Sequence, residues 1–232
     1  MKTVIKKAFS ILKSCRGISI YKTLLFNLKY FTFKDAIKLP VLISRNVILS
    51  KTEGELTINN QLRTGMVLIG FTFRDSFQFD VNESKTIWNV SGKVIFGDNI
   101  FIGVGSKIIV TKNGRLDLGD NFSITAKTSI ISEKSICFGK NCMISWDVLI
   151  MDHDGHAILN KITKEMCNPA REITFGDKVW IGCRTIIFKG TKVEKGCIIA
   201  ANTFLNKEIE GENQIIAGYP AEIIKKEIRW FS

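Results

Sequence analysis

Residues Phe175–Leu205 read FGDKVWIGCRTIIFKGTKVEKGCIIAANTFL, with a large apolar residue at every sixth position: Phe175, Ile181, Ile187, Val193, Ile199 and Leu205. An α-helix cannot place a six-residue period on one face, because 3.6 residues per turn does not divide it, and a simple strand alternates every two residues. Short flat strands joined by tight corners can carry that period. Three of them close one coil of a triangular prism, with the large residue pointing inward.

The same spacing runs upstream through Phe138, Ile144 and Ile150, through Leu118, Ile124 and Ile130, and through Phe96, Ile102 and Ile108. Between these triplets the step is 10, 8, 25 and 6 residues, so the insertions are expected to leave from equivalent corners. Four residues after the large positions stand mostly small or β-branched residues: Ser106, Thr128, Cys142, Val148, Val179, Thr185, Thr191, Cys197 and Thr203. Lys112, Lys134 and Asp154 are the misfits. Gly97, Gly103, Gly119, Gly139, Gly176 and Gly182 are expected to ease the corners. Residues from about 41 to 88 alternate without clean hexads and are assigned to irregular initial coils. The prediction is an all-β solenoid over 41–220, preceded by a helical segment over 1–40 and closed by a C-terminal helix over 221–232.

The longest insertion, 151–173, follows the stretch ISWDVLIMDHDGH (Ile144–His156), which holds both histidines of the chain. A long excursion from a solenoid is tolerated only at its edge, where function commonly sits. An imidazole, with an ordinary pKa of about 6.5, is still basic when neutral, as a general base requires. Asp152 and Asp154 alternate with His153 and His156 and could orient an imidazole. A polar surface loop is the plainer reading of these residues. Trp146, with its neighbour Asp147, offers a candidate sugar contact.

Composition separates the first 40 residues from the rest. The chain carries a net charge of +11, and residues 1–40 hold eight Lys and one Arg against the single acid Asp35. Val4, Ala8, Ile11 and Cys15 lie at helical spacing, and a second stripe follows at Ile20, Leu24, Leu28 and Phe31. Two readings stay open: docking on an anionic membrane face, or packing against the main domain with a solvated basic rim. Early lysines argue against a secretory leader, and no uninterrupted apolar run reaches bilayer length. No nucleic-acid motif accompanies the basic residues. Six cysteines without a C-x-x-C pair suggest a reducing compartment and no disulfides, with Cys142 and Cys197 as buried thiols.

At ISWDVLIMDHDGHAI, the run from Phe175 to Ile209 and the terminal AGYPAEIIKK, the chain resembles the hexapeptide-repeat, left-handed β-helix acyltransferases, in particular O-acetyltransferases of bacterial capsule, O-antigen and exopolysaccharide pathways. The stretch FNLKYFTFKDAIKLPVLI is similar to the N-terminal region of that polysaccharide subgroup. The resemblance implies a homotrimer that binds acetyl-CoA along the outside of its last coils and transfers the acetyl group directly to a sugar hydroxyl. It implies His156 as the base, with His153 a departure from the family pattern and Asp152 or Asp154 fixing the tautomer. Trp180, Gly182, Ala200, Lys207, Ala217, Gly218 and Pro220 match positions along the pantetheine arm or near the CoA phosphates. Lys225 and Lys226 would lie near the nucleotide. The implied acceptor is a nucleotide- or lipid-linked saccharide, and the implied location is the cytoplasm or the inner face of its membrane.

The chemistry stands without the resemblance: a sugar hydroxyl attacks well only as its proton is removed, and a positioned base contributes about 10²- to 10⁴-fold. Gly218 and Pro220 also suit a turn that exposes amides to a ligand. A β-helix carbonic anhydrase would need three zinc-binding histidines, and this chain has two, so no metal is expected. An N-acyltransferase acting on an amino-sugar nucleotide and a non-enzymatic scaffold remain as alternatives.

Overall fold

The computed structural model describes residues 17–72 and 84–231. The expected helix over Val4–Cys15 lies outside the described residues. Strands three apart in the chain pair in parallel, which with one antiparallel strand at the C-terminal end builds three sheets of nine, seven and seven strands among the described residues. Ser123–Ala126, Ser129–Ser132 and Ile136–Phe138 form one such coil, and the next stacks on it through Met143–Trp146, Leu149–Met151 and Ile173–Phe175. The fold is a left-handed parallel β-helix. Its sheets are called here the first, second and third faces in the order the chain visits them.

The six-residue period becomes three internal stacks. Ile102, Ile124, Ile144, Ile181, Ile199 and Ile216 line the first face from inside, and all are at most 1% exposed. Ile108, Ile130, Ile150, Ile187 and Leu205 line the second, and Phe96, Leu118, Phe138, Phe175 and Val193 the third. The small positions from Ser106 to Thr203 are buried as expected, whereas Lys112, Lys134 and Asp154 are exposed. Those misfits all fall at the corner between the second and third faces. The steps of 10, 8 and 25 residues leave from that corner, where the extra chain carries the position outward. An earlier insertion, between Val67–Phe71 and Thr86–Val90, leaves instead from the corner between the first and second faces.

The glycines serve a different purpose from the expected one. Gly139 and Gly182 do not have positive φ; a Cβ on Gly139 would sit 2.6 Å from the backbone N of Asp177, and one on Gly182 2.5 Å from the backbone N of Ala201. They are small because adjacent coils touch there. Left-handed corner residues are mostly polar, including Asn99, Asn121 and Asn141, whose side chains bond from coil to coil at 3.0 and 3.1 Å.

Helix α1 (Ile20–Tyr30) closes the N-terminal end of the prism, followed by the short α2 (Phe33–Ala36). Ser19 caps α1 by accepting from the Lys22 amide. The first strand, Val41–Ile43, would present an unpaired edge, and α1 satisfies it with side chains. Asn27 donates to Val41 O at 2.7 Å and accepts from Val41 N at 3.1 Å, while Thr23 Oγ1 accepts from Ile43 N. Phe26 and Tyr30 pack on the buried Trp88, whose indole N–H donates to the Tyr30 hydroxyl. The buried face of α1 is therefore Thr23, Phe26 and Asn27. Of the predicted stripe only Phe31 packs against the core, while Ile20, Leu24 and Leu28 are exposed on the other side.

The C-terminal helix is also corrected. After Gly218, at φ 99°, and the cis Tyr219–Pro220 peptide, the chain returns as an antiparallel strand, Glu222–Lys225, on Ile215–Ala217. Ile215–Ala217 has a free edge that a returning strand can pair and a helix cannot. Beyond it Trp230 reaches back, donates to Lys178 O at 3.0 Å and packs 6.0 Å from Trp180. Among the described residues no helix is long and apolar enough to cross a membrane.

Candidate active site

The loop 151–173 leaves the end of Leu149–Met151, one coil below Ser129–Ser132. The register pairs Ile131 with Met151, so the next residues, Ser132 and Glu133, fall beside Asp152 and His153. Asp152 is fully buried. One carboxylate oxygen accepts from the Glu133 amide at 2.8 Å, and the other accepts from the Lys134 and Ser135 amides and the Ser132 hydroxyl at 2.8 to 2.9 Å. Asp152 folds the corner above it and thereby presents Glu133; it is not bonded to His156, so the expected orienting role is replaced by this one.

His153 is the better enclosed histidine, its side chain 13% exposed. Its Nδ1 has two neighbours: the Gly155 amide donates to it at 2.9 Å, and Glu133 Oε2 lies 3.3 Å away. The first contact needs a lone pair on Nδ1 and the second a proton, so Nδ1 makes only one of them at a time. Nε2 is buried and has no hydrogen-bond partner among the described residues. His156 is exposed, and its contact with the loop is through its backbone carbonyl, which accepts from Asn168.

Asp154 is hydrogen-bonded to neither ring and anchors the loop. Lys189 of the following coil donates to it at 2.5 Å and to the Asn168 carbonyl at 3.0 Å, and the Asn168 side chain bonds Asp154 and His156 O at 2.8 Å each. The Lys189 ammonium, with Asn168, holds the Asp154 carboxyl below its usual range. Arg171 ties the far end of the loop to Asp152 O and Lys189 O. Between these anchors the arm 158–167 folds on itself and exposes Ile158, Leu159, Ile162 and Met166.

The remaining predicted residues flank the second face below the loop. Gly182 and Ala200 stand by its corner with the first face, as do Trp146 and Asp147 one coil above. Lys207 stands at its other corner, in line with the loop and Lys189. Phe188, Phe204 and Tyr219 form an outward aromatic column along this wall, with ring centroids 5.7 and 5.1 Å apart. Phe204, Lys207, Tyr219 and Pro220 line an open cleft of about 480 Å³, and Gly218 O accepts from the Phe204 amide beside it. Ala217 leads into that turn. Trp180 lies on the first face instead, under Trp230, its indole N–H on Ser145. Lys225 and Lys226 are exposed on and just past the returning strand. Among the described residues no cluster of His, Cys, Asp or Glu has metal-site geometry.

Glu133, Lys189 and Asn168 were missed in the sequence. For Glu133 the signal was present: Ile130 and Ile150 are register partners, and the same 20-residue offset sets Glu133 against His153. Lys189 could have been found likewise, since Phe188 pairs with Met151.

No protein-family profile matches the chain. Among characterised and named proteins, the polysialic acid O-acetyltransferase of Neisseria meningitidis is 32% identical over 183 residues, covering 65% of this chain and 84% of that protein. The provisionally named lipopolysaccharide biosynthesis O-acetyl transferase WbbJ of Escherichia coli K12 is 30% identical over 145 residues, 58% of this chain and 72% of that one. The polysialic acid O-acetyltransferase of Escherichia coli O1:K1 is 33% identical over 53% of this chain, which spans only 40% of that longer protein. The solved polysialic-acid-specific acetyltransferase NeuO aligns over 81% of this chain and 89% of its own, with 22% identity and a TM-score of 0.45, too distant to add to these.

Proposed function

The chain belongs to the hexapeptide-repeat acetyltransferases, and from that premise we propose that it transfers an acetyl group from acetyl-CoA to a hydroxyl of a bacterial cell-surface saccharide, with His153 as the base. The observation that carries the assignment is the buried, unpartnered Nε2 of His153 on a ring whose Nδ1 faces Glu133. A carboxylate is a stronger acceptor than a neutral group and favours the proton on Nδ1, the form in which the Gly155 amide no longer donates to that atom. Nε2 then keeps its lone pair, and it can take a proton from a substrate hydroxyl once the loop moves enough to uncover it. Glu133 also stabilises the imidazolium formed as the proton moves. His156, which the family pattern favours, has no carboxylate paired with its ring among the described residues.

Acetyl-CoA supplies the activated acyl carbon. The aromatic column and the cleft at Lys207 and Pro220 suit its arm: flat apolar surface next to a cation, running from the second face towards the catalytic loop. Asp152, through the corner it folds, and Lys189, through the loop, hold the base over that wall. Polysaccharide synthesis is supported by the named activities of the relatives, and an acceptor panel of oligosaccharides, lipid-linked saccharides and amino-sugar nucleotides distinguishes hydroxyl from amine transfer.

His153→Ala is expected to lower kcat by about 10² or more with the KM for acetyl-CoA nearly unchanged, since a proton acceptor acts in the transition state. His156→Ala should retain most activity. The reverse pattern would return the base to His156, and two active variants would remove the loop from catalysis.

A further inference from the structure

The outer surface of the helical cap is a second feature built for contact, separate from the catalytic corner. In α1, Ile20, Tyr21, Leu24, Leu25 and Leu28 stand at i, i+1, i+4, i+5 and i+8, a single face opposite Thr23, Phe26 and Asn27. Phe33 and Ile37 add to it from α2 and its C-cap. These seven large apolar side chains are between 45% and 74% exposed. Isolated exposed apolar residues are ordinary, but a contiguous set on one helix face marks a contact surface.

The charge around this face selects its occupant. Residues 1–40 carry nine cations and one acid, and that acid, Asp35, is already paired with Lys38. Lys29 and Lys34 are exposed at the edge of the apolar face. A second copy of this chain would bring the same positive charge against it. An anionic lipid surface instead offers an apolar interior for Leu24 and Leu28 and phosphate charge for the lysines.

We propose that the apolar outer face of α1 and α2 docks this protein on an anionic lipid bilayer. Because the opposite face of α1 is seated on the open end of the prism, the docked protein stands on its N-terminal cap with the β-helix rising away from the membrane. Strands of adjacent coils lie about 4.8 Å apart, so the loop, four coils further on, stands roughly 20 Å above the first coil, with the thickness of α1 between that coil and the lipid. On the acetyltransferase reading, that height favours a saccharide chain carried on a lipid over the sugar next to its headgroup.

The test is flotation of the full chain with phosphatidylcholine vesicles and with phosphatidylcholine–phosphatidylglycerol vesicles, which reads docking without reading catalysis. The wild type should float with the anionic vesicles and detach as salt is raised. Leu24→Glu/Leu28→Glu should weaken flotation by about tenfold or more while leaving the urea unfolding midpoint unchanged, because both side chains are exposed. Lys29→Glu/Lys34→Glu should weaken it too, with a smaller salt effect. A wild type that stays with the soluble fraction overturns the proposal and leaves an acidic protein as the occupant. A Leu24→Glu/Leu28→Glu variant that floats as well as wild type also overturns it, placing any attraction on charge alone. Self-association of the wild type that this variant abolishes would assign the face to a second copy.

Discussion

Asp152 and Asp154 stand two residues apart and meet opposite surroundings. Asp152 accepts three amides and a hydroxyl in a fully buried corner, so Asp152→Asn leaves donors facing an amide group that cannot accept from all of them. A loss of about 2–4 kcal/mol is expected, read from urea unfolding, together with lower activity because Glu133 moves. Asp154 is partly exposed and paired with Lys189. A carboxyl held below its usual range contributes above the ordinary carboxylate pKa and stops contributing as pH falls through its lower folded value. Loop anchoring should thus be insensitive to pH near neutrality and weaken in acid. Lys189→Ala should release the same segment at neutral pH, measured as faster amide exchange over 154–168. Burial pushes the Cys142 thiol up to about 11, so at pH 8 iodoacetamide should label the exposed Cys167 and spare Cys142, as mass spectrometry would show.

At the scale of elements, the solenoid has two ends with different solutions to one problem. A parallel β-helix leaves a row of unpaired amides and carbonyls at its first and last coils. At the N-terminal end Asn27 and Thr23 act as side-chain substitutes for a neighbouring strand; at the C-terminal end the strand Glu222–Lys225 supplies real backbone pairing. Asn27→Ala removes both bonds to Val41 in a buried setting and is expected to cost about 2–4 kcal/mol in urea unfolding. A loss below about 1 kcal/mol would show that water replaces them. Helical periodicity located α1 correctly and left two readings of its apolar stripe; the packing one fails for most of it, because the side chains that seat the helix are partly polar and bond to strand edges.

For the whole molecule, the proposed catalytic corner and the cleft at Phe204 and Pro220 share one open wall of a narrow prism. The arm 158–167 projects beside that wall with Ile158, Leu159, Ile162 and Met166 exposed. We propose that a neighbouring copy covers this arm and completes the wall, in the homotrimer the family pattern implies. Light scattering should give three times the 26.1 kDa chain mass. Ile162→Glu/Met166→Glu should shift the protein towards monomer and lower activity together; a fully active monomer would refute the assembly.

The six-residue period determined the β-helix from the sequence alone, because every inward position of every coil must be apolar and the pattern repeats too often to be chance. The corner from which the loop leaves, the buried small positions and the place of both histidines were legible for the same reason. Which histidine meets a carboxylate shows in the sequence only when the Ile130–Ile150 offset is carried on to Glu133 and His153, 20 residues apart, and the contact itself only in the structure. The exposure of Ile20, Leu24 and Leu28 was not legible, because an apolar stripe looks the same whether it faces a core or solvent. The stacking of coils and the seating of α1 on a strand edge decided both.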